Sequence, residues 1–487
     1  MPARTPFKMV DLKPFQHQQE VFERTRDKTH FGILWEQGTG KSRMLIDSAA
    51  WLYAQGEVDA VFVVAPNGVQ RNWVTDELPK HLHQDVEHVS YCYSSKRAGT
   101  KDNERKVEAL LAYEGFAILA MSYDAMITEA GKTLARRFLT QRRCLYVLDE
   151  STRIKNPTAI RTKTILASAK FAKYRRILTG TPITNGPFDI YSQMKFLDED
   201  FWKHEGFSSF TVFKQFFGVF RKMTNQHTGR LFDQCVAYKN LPVLQRILER
   251  CTSRVLKEDV LDLPPKVFSN RYYEMTPVQL RMYEELRNDY VTRLEGGEDD
   301  IVAGLAIVRL MRLQQITCNY IPTEPDKPLT MIGDKNPRLD LLADIVEDVP
   351  HQAIIWSRFT KDIDLICDLL GKKAVRYDGR VDENGRIETL NKFHGGEAQF
   401  FVGNPAACSE GLTLTEAKTV IRYTNNFKLA ERLQSDDRAH RIGQDKSVHY
   451  IDLVCQGTID QHIVKSLLSK FDVASQLTGD TLRTWLT

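Results

Sequence analysis

Long apolar runs are missing from this sequence. No segment of the 487 residues approaches the about 18 apolar residues that a membrane-spanning helix needs, and the opening MPARTPFKMVDLKPF holds no apolar stretch of signal-peptide length. A cytoplasmic protein without a membrane partner is expected. Charge of one sign is equally scarce: 67 Lys and Arg against 63 Asp and Glu leave +4, so any basic surface has to be local. The eight cysteines, at 92, 144, 235, 251, 318, 367, 408 and 455, are never closer than sixteen positions. That spacing excludes a CxxC-type zinc site and a dense disulfide framework, and it suits reduced, mostly buried thiols. Solenoid repeats, coiled-coil heptads and long low-complexity tracts are also lacking.

What is present is an alternation of short β-branched runs with helical segments. The first set is FGILW at 31, AVFVVAP at 60, FAILAMSY at 116, CLYVLDE at 144 and RRILTGTP at 175. The second is QAIIWSRF at 352, AVRYDG at 374, QFFVGNP at 399, TVIRYTN at 419 and VHYIDLVC at 448. Continuous apolar runs between helices predict parallel strands buried on both faces, hence an α/β protein with two lobes. From about 186 to 335 the strand pattern lapses and stretches such as LPVLQRILERCTSRVL and MTPVQLRMYEELRNDYVTRL carry helical spacing, with polar breaks at GGEDD, 296–300, and PTEPDKP, 322–328. The expected division is 1–190, 191–335 and 336–487, the middle part being a helical insertion. FSSFTVFKQFFGVF, 207–220, places Phe207, Phe210, Phe213, Phe217 and Phe220 every three or four residues, a stripe that predicts core and not base stacking.

One short stretch carries chemistry. LWEQGTGKSRMLI, 34–46, runs from a strand through Gly38, Thr39 and Gly40 to Lys41 and Ser42 at the start of a helix, the order a phosphate-binding loop requires. Glycines let backbone N–H groups turn toward phosphate oxygens, and the helix N-terminus adds a favourable dipole. Lys41 is the candidate for the β- and γ-phosphates of ATP, and Ser42 for Mg²⁺. Trp35, where the first glycine of such loops usually stands, leaves an ordinary turn open as the alternative. A second element narrows the choice. LYVLDEST ends a strand in Asp149 and Glu150, suited to organising Mg²⁺ and to polarising an attacking water.

With these residues in view, the chain resembles a Swi/Snf-like ATPase of helicase superfamily two, in order from about residue 12 to 456. LKPFQ resembles the leading glutamine motif, in which Gln16 would contact adenine, and EQGTGKS the phosphate loop, where this superfamily generally lacks the glycine at the place of Trp35. VVAPNGVQRNW, SYDAM, LDESTRIKNP and LTGTPITN are similar to motifs Ia, Ib, II and III. IIWSRF, SEGLTLTEAKTVIRY and QSDDRAHRIGQ are similar to motifs IV, V and VI, the last being the most specific string in the sequence. LPPK at 263–266 and MTPVQ at 275–279 resemble the segment that joins the family's two helical protrusions.

The resemblance implies two RecA-like lobes with helical insertions and ATP hydrolysis between them. It implies that Arg438 and Arg441 face the γ-phosphate, with Gln434 and Gln444 as neighbours of that pair. It also implies phosphate-backbone contacts on Asn67, Arg71, Ser122, Arg358 and Thr413. Two departures stand out. Ser151 and Thr152 occupy places where the family has alanine or serine followed by a histidine that links motif II to motif III, which leaves the coupling route open; Thr413 stands where an asparagine is usual. The clusters Lys173, Arg175, Arg176 and Arg142, Arg143 are expected to flank strands as solvated ends.

The expected function is an ATP-dependent translocase on double-stranded DNA. A strand-separating DNA or RNA helicase is the alternative within the enzymes, and a nucleotide-gated nucleic-acid clamp with little hydrolysis is the alternative outside them. Few residues flank the motifs, so a monomeric, stand-alone motor of bacterial or viral origin is expected.

Overall fold

The computed structural model describes residues 7–10, 13–224, 231–296, 302–322, 328–407 and 412–478. Gly297–Asp300 of the first polar break, residues 323–327 of the second, Cys408, and the SEG of SEGLTL lie outside them. The other seven cysteines are free thiols. Among the described residues no helix is long and apolar enough to cross a membrane.

The chain divides into two compact units. Of the described residues, the first takes those up to Gly218, Tyr238–Asp262 and Asp472–Thr478; the second takes Val219–Ala237 and Leu263–Phe471. The first unit is built on strands β1 (His30–Trp35), β2 (Ala60–Ala65), β3 (His88–Tyr93), β4 (Phe116–Ser122), β5 (Cys144–Asp149) and β6 (Tyr174–Leu178). After the two-stranded sheet of β7 (Gly218–Thr224) and β8 (Leu231–Tyr238), β9 (Thr252–Val255) joins the same first sheet. The order is β3-β4-β2-β5-β6-β1-β9, with every neighbouring pair parallel. Burial on both faces explains the unbroken apolar runs: along β2, Phe62 and Val64 enter one core while Val61 and Val63 enter the other.

The second unit repeats the principle with β10 (Lys266–Tyr273), β13 (Ala353–Trp356), β14 (Ala374–Tyr377), β15 (Phe400–Gly403), β16 (Thr419–Arg422) and β17 (Val448–Cys455), in the order β10-β17-β16-β13-β15-β14, again all parallel. A short antiparallel pair, β11 (Tyr320–Pro322) and β12 (Leu329–Met331), completes the strands described. All ten runs read as strands are strands, in two parallel-sheet α/β lobes as expected.

The stretch 186–335 differs from its purely helical reading. It contains helices at Leu241–Cys251, Pro277–Gly296 and Val302–Thr317, but also β7 to β12. β9 and β10 are edge strands, paired on one side only. An edge strand needs no continuous apolar run, so TSRV and KVFSNRYY gave little signal. β3 escaped notice for the same reason. The phenylalanine stripe is core as expected for Phe207, Phe213 and Phe217, which pack in the first unit; its helix ends at Phe217, and Phe220 belongs to β7.

Two helices set the site that follows. The helix α1 (Gln16–Thr25) buries Gln18, Val21, Phe22 and Thr25, and α2 (Lys41–Ala54) follows β1 directly. Arg176, expected at a solvated strand end, is fully buried. Its guanidinium donates to the carbonyls of Thr25, Lys28, Thr29 and Arg175, closing the C-terminal end of α1 against β6, and burial pushes its pKa down to about 10. Positive charge is favoured where helix carbonyls lack partners. Arg176→Ala orphans those carbonyls and should lower the unfolding free energy by about 3 kcal/mol, measured by urea denaturation.

Candidate nucleotide site

In the first sheet β5, β6 and β1 are neighbours, so the segments leaving their C-terminal ends lie side by side. This edge is where parallel α/β sheets bind ligands. From β1 comes EQGTGKS, with Gly38 at φ +81° and Gly40 at φ +85°. Both are left-handed conformations that glycine adopts without strain. At Gly40 a Cβ would lie 1.9 Å from the Gln18 side-chain nitrogen, so the loop is closed against α1. Gln18 donates to the carbonyls of Thr39 (3.4 Å) and Gly40 (3.3 Å), and His17 Nε2 lies 2.9 Å from the Thr39 carbonyl. Thr39 is buried, its hydroxyl donating to the Glu36 carbonyl.

Gln16 is not the glutamine brought to this loop: it is exposed and pairs with Glu20. Gln18 is. Its phase with Val21, Phe22 and Thr25 on one face of α1 was the available signal.

Trp35 has a physical reason for standing where a glycine is usual. Its side chain points into the core and donates to Ser253 Oγ on β9, and only its carbonyl enters the loop. Lys41 Nζ donates to that carbonyl (2.9 Å) and to Glu36 O (3.0 Å). The ammonium is therefore held over the loop. The first amides of α2, from Lys41 to Arg43, have no acceptor within the helix and supply the N–H donors of an anion site.

From β5 come the two acids. Asp149 Oδ2 accepts from the Trp73 indole at 2.9 Å, and its carbonyl from Tyr123. Glu150 adopts a left-handed conformation, φ +52° and ψ +57°, unusual for a side-chain-bearing residue. Its carboxylate accepts from Thr179 of the segment after β6 (3.0 Å) and from Gln37 of the loop (3.4 Å). Burial, then the adjacent Glu150, push the Asp149 carboxyl up to about 7 against the opposing effects of Trp73 and Lys41. This pair carries negative charge in excess of its local cation.

The route from LDEST to LTGTPITN runs through Ser151. Its hydroxyl donates to Gln193 (2.6 Å), whose amide donates to the carbonyls of Pro182 and Asp189, each at 2.8 Å. Lys155 adds a bond to Thr184. A buried hydroxyl and amide thus bridge the two segments without a histidine.

Nucleotide and metal can be tested against these donors. Among the described residues no group of three or more His, Cys, Asp or Glu is spaced to hold a metal. Magnesium at nucleotide sites takes one or two protein ligands and fills its shell with phosphate oxygens and water. Ser42, Asp149 and Lys41 with the α2 amides fit that division of ligands.

The residues expected to meet a phosphate backbone fall in both units. Asn67, exposed after β2, donates to Asp124 (2.5 Å), which also accepts from Arg161; Arg71 is exposed nearby in the chain. The structure brings Asn67 and Ser122 to one end of the sheet, because Ala65 and Ser122 are register partners. Ser122 is buried, its hydroxyl accepting from Ala125 N, which is the work of a turn cap. In the second unit Arg358 is half-buried and donates to Gln314; Thr413 is exposed and accepts from Arg441 Nη1 at 3.3 Å. Arg438 is 3% exposed and donates to the Leu412 carbonyl, whereas Arg441 is partly exposed. Gln444 is buried and donates to the carbonyls of Thr415, Ala417 and Ala439, a structural role.

Residues 16–320 match the SNF2-related domain, and residues 337–443 match the helicase conserved C-terminal domain. The chain belongs to the SNF2-related family. The resemblance read from the motifs is thereby met. This SNF2-related chain is 28% identical over 456 residues to an ISWI chromatin-remodeling complex ATPase of Arabidopsis thaliana, covering 89% of itself and 39% of that protein. It is 25% identical over 479 residues to an uncharacterized ATP-dependent helicase of Mycoplasma pneumoniae, covering 96% of itself and 42% of the relative. With a DNA annealing helicase and endonuclease of Mus musculus it shares 25% identity over 490 residues, 97% of this chain and 41% of the other. The chain thus spans about two fifths of the length of these relatives. The SWI2/SNF2 ATPase core of Sulfolobus solfataricus, solved in complex with double-stranded DNA, aligns with 98% of this chain and 96% of its own at 21% identity, with a TM-score of 0.41.

Two outcomes are expected of the site. Gly40→Ala drives a methyl group into Gln18 at a left-handed position and should weaken ATP binding about 10-fold, read by calorimetric titration. Asp149 is an acid whose pKa is raised on folding, so its ionisation costs stability; the cost is complete above about pH 7 and vanishes below the ordinary carboxylate range. Asp149→Asn should raise the melting temperature of the nucleotide-free protein at pH 8, with a smaller gain at pH 5.5, by scanning fluorimetry.

Proposed function

We propose that this SNF2-related chain is an ATP-dependent translocase on double-stranded DNA, using ATP and Mg²⁺. The observation that carries the reading is the set of three adjoining strand ends: Lys41 over its loop from β1, Asp149 and Glu150 from β5, and Thr179 from β6, with the Thr179 hydroxyl donating to Glu150. An ordinary glycine turn would not gather a lysine, two strand-end acids and a helix N-terminus in one place. The descriptions of the relatives as a chromatin-remodeling ATPase and a DNA annealing helicase support DNA as the polymer.

Mg²⁺, held by Ser42 and Asp149, would supply positive charge that offsets both the phosphates and the two acids. Each residue then has a task. Lys41 and the amides opening α2 bind the β- and γ-phosphates, while Gln18 and His17 fix the loop from behind. Ser42 and Asp149 orient the metal. Glu150, held at a fixed angle by Thr179 and Gln37, takes the proton of the attacking water, and the left-handed backbone keeps its carboxylate at the strand end. Arg441 is assigned the positive charge that the transferred phosphoryl group requires, and Arg438 holds the Leu412 carbonyl within the second unit. Hydroxyl and amide bonds from Glu150 and Ser151 to the segment after β6 give hydrolysis a mechanical route into the first unit. Asn67, Arg71, Arg358 and Thr413 are assigned to the DNA backbone, whose uniform charge permits tracking without sequence preference.

Glu150→Gln should retain ATP affinity within a few-fold while turnover falls about 10³-fold; equal turnover refutes the base. Arg441→Ala should cut kcat by about 10³-fold with a smaller effect on nucleotide affinity. Across a panel of duplex DNA, single-stranded DNA and duplex RNA, ATPase stimulation should be strongest with duplex DNA, and strand displacement should be absent. Preference for RNA would count against the assignment, and displacement would favour a helicase.

A further inference from the structure

The segment after β2 contains one irregularity. Between the helical turns Val69–Asn72 and Leu78–His81, residues Trp73–Glu77 form a single wide turn, closed by Leu78 N donating to Trp73 O. Such turns cost helix regularity and are found disproportionately at functional sites. Here both ends of the turn reach the nucleotide site. Trp73, 2% exposed and packed in the core beside β2, donates its indole N–H to Asp149 Oδ2. Glu77, at the other end, is partly exposed with His81 Nε2 at 3.7 Å; burial raises its carboxyl, and the Ser42 hydroxyl opposes that rise most strongly.

The chemistry of these two contacts is complementary. An indole N–H can only donate. It therefore pins one carboxylate oxygen of Asp149 and leaves Oδ1 for a metal-bound water. A serine hydroxyl that donates its proton to a carboxylate presents its oxygen lone pairs outward, with more negative charge on them. Both are the orientation a magnesium site needs from its two protein groups, and outer partners of this kind hold metal ligands in place. A tryptophan serving only as core would gain nothing from meeting an acid.

We propose that the wide turn Trp73–Glu77 is the outer coordination shell of the magnesium-nucleotide site, Trp73 aiming Asp149 and Glu77 aiming Ser42. Both are positioning residues. The proposal rests on the reading of Lys41, Ser42 and Asp149 as that site, and it adds the segment that sets metal affinity. It also accounts for the irregular turn, since one element is made to serve two ligands that come from different strands.

The test uses the full chain with Trp73→Phe, which keeps the ring and removes the N–H, and with Glu77→Gln. ADP binding is titrated in EDTA and across Mg²⁺ concentrations, alongside melting temperatures. Expected is near-unchanged ADP affinity in EDTA, with the Mg²⁺ concentration for half-maximal tightening raised about 10- to 100-fold in each variant. An unchanged Mg²⁺ midpoint, or equal weakening with and without Mg²⁺, overturns the proposal. Should Trp73→Phe not fold, Glu77→Gln decides alone by the same criterion. A wild-type protein that binds no nucleotide, or binds it without Mg²⁺ dependence, refutes the nucleotide-site reading and this proposal with it, which separates that failure from the failure of the turn alone.

Discussion

Everything at the candidate nucleotide site depends on the adjacency of β5, β6 and β1 in one parallel sheet. Parallel hydrogen bonding fixes the register of these strands, with Asp149 beside Leu178 and Leu178 beside Ile33. The three segments that leave the sheet therefore emerge within hydrogen-bonding distance of one another. Gly180 shows how close they come, because a Cβ there would lie 3.3 Å from both Gln37 N and Trp35 O. Charge then does the rest: one ammonium and a helix N-terminus on one side, two carboxylates on the other, all partly shielded from water, where electrostatic interactions are stronger than in bulk.

The second unit solves a related problem with a buried ionic network. Arg422 on β16 bonds Asp436, and Arg432 bonds both Asp436 (3.1 Å) and Asp452 of β17 (2.5 Å), with Asn425 joined to Asp452 as well. All four ionic side chains are nearly inaccessible. Such a network is costly to desolvate and adds little net stability. What it provides is geometry, because it ties the helix Leu429–Asp436 to two strands and so fixes where the chain enters the segment bearing Arg438 and Arg441.

Polar side chains at these places are used for orientation more than for cohesion. Gln18, Gln193 and Gln444 are buried amides that each bind two or more backbone carbonyls. Ser151 with Gln193 carries the link from the acids to the segment after β6, a path with no histidine in it. Trp35 and Trp73 use their rings to fill the core of the first unit and their polar atoms, a carbonyl and an N–H, to direct Lys41 and Asp149.

The two-lobed α/β architecture, the glycine loop after β1 and the acids that end β5 were legible in the amino-acid sequence. Central strands and glycine loops are written in consecutive residues, as apolar runs and as fixed spacings, so they survive without knowledge of distant partners. It could not determine β3, β9 and β10, whose edge positions demand no apolar run. It did not single out Gln18, buried against the loop, and it misled at Arg176, whose basic neighbours suggested a solvated end. It took the tertiary structure to place Gln18 against the loop, the Trp73 indole on Asp149 and Arg438 on the Leu412 carbonyl. These are contacts between residues far apart in the chain, set by sheet register and helix phase, and no local pattern encodes them.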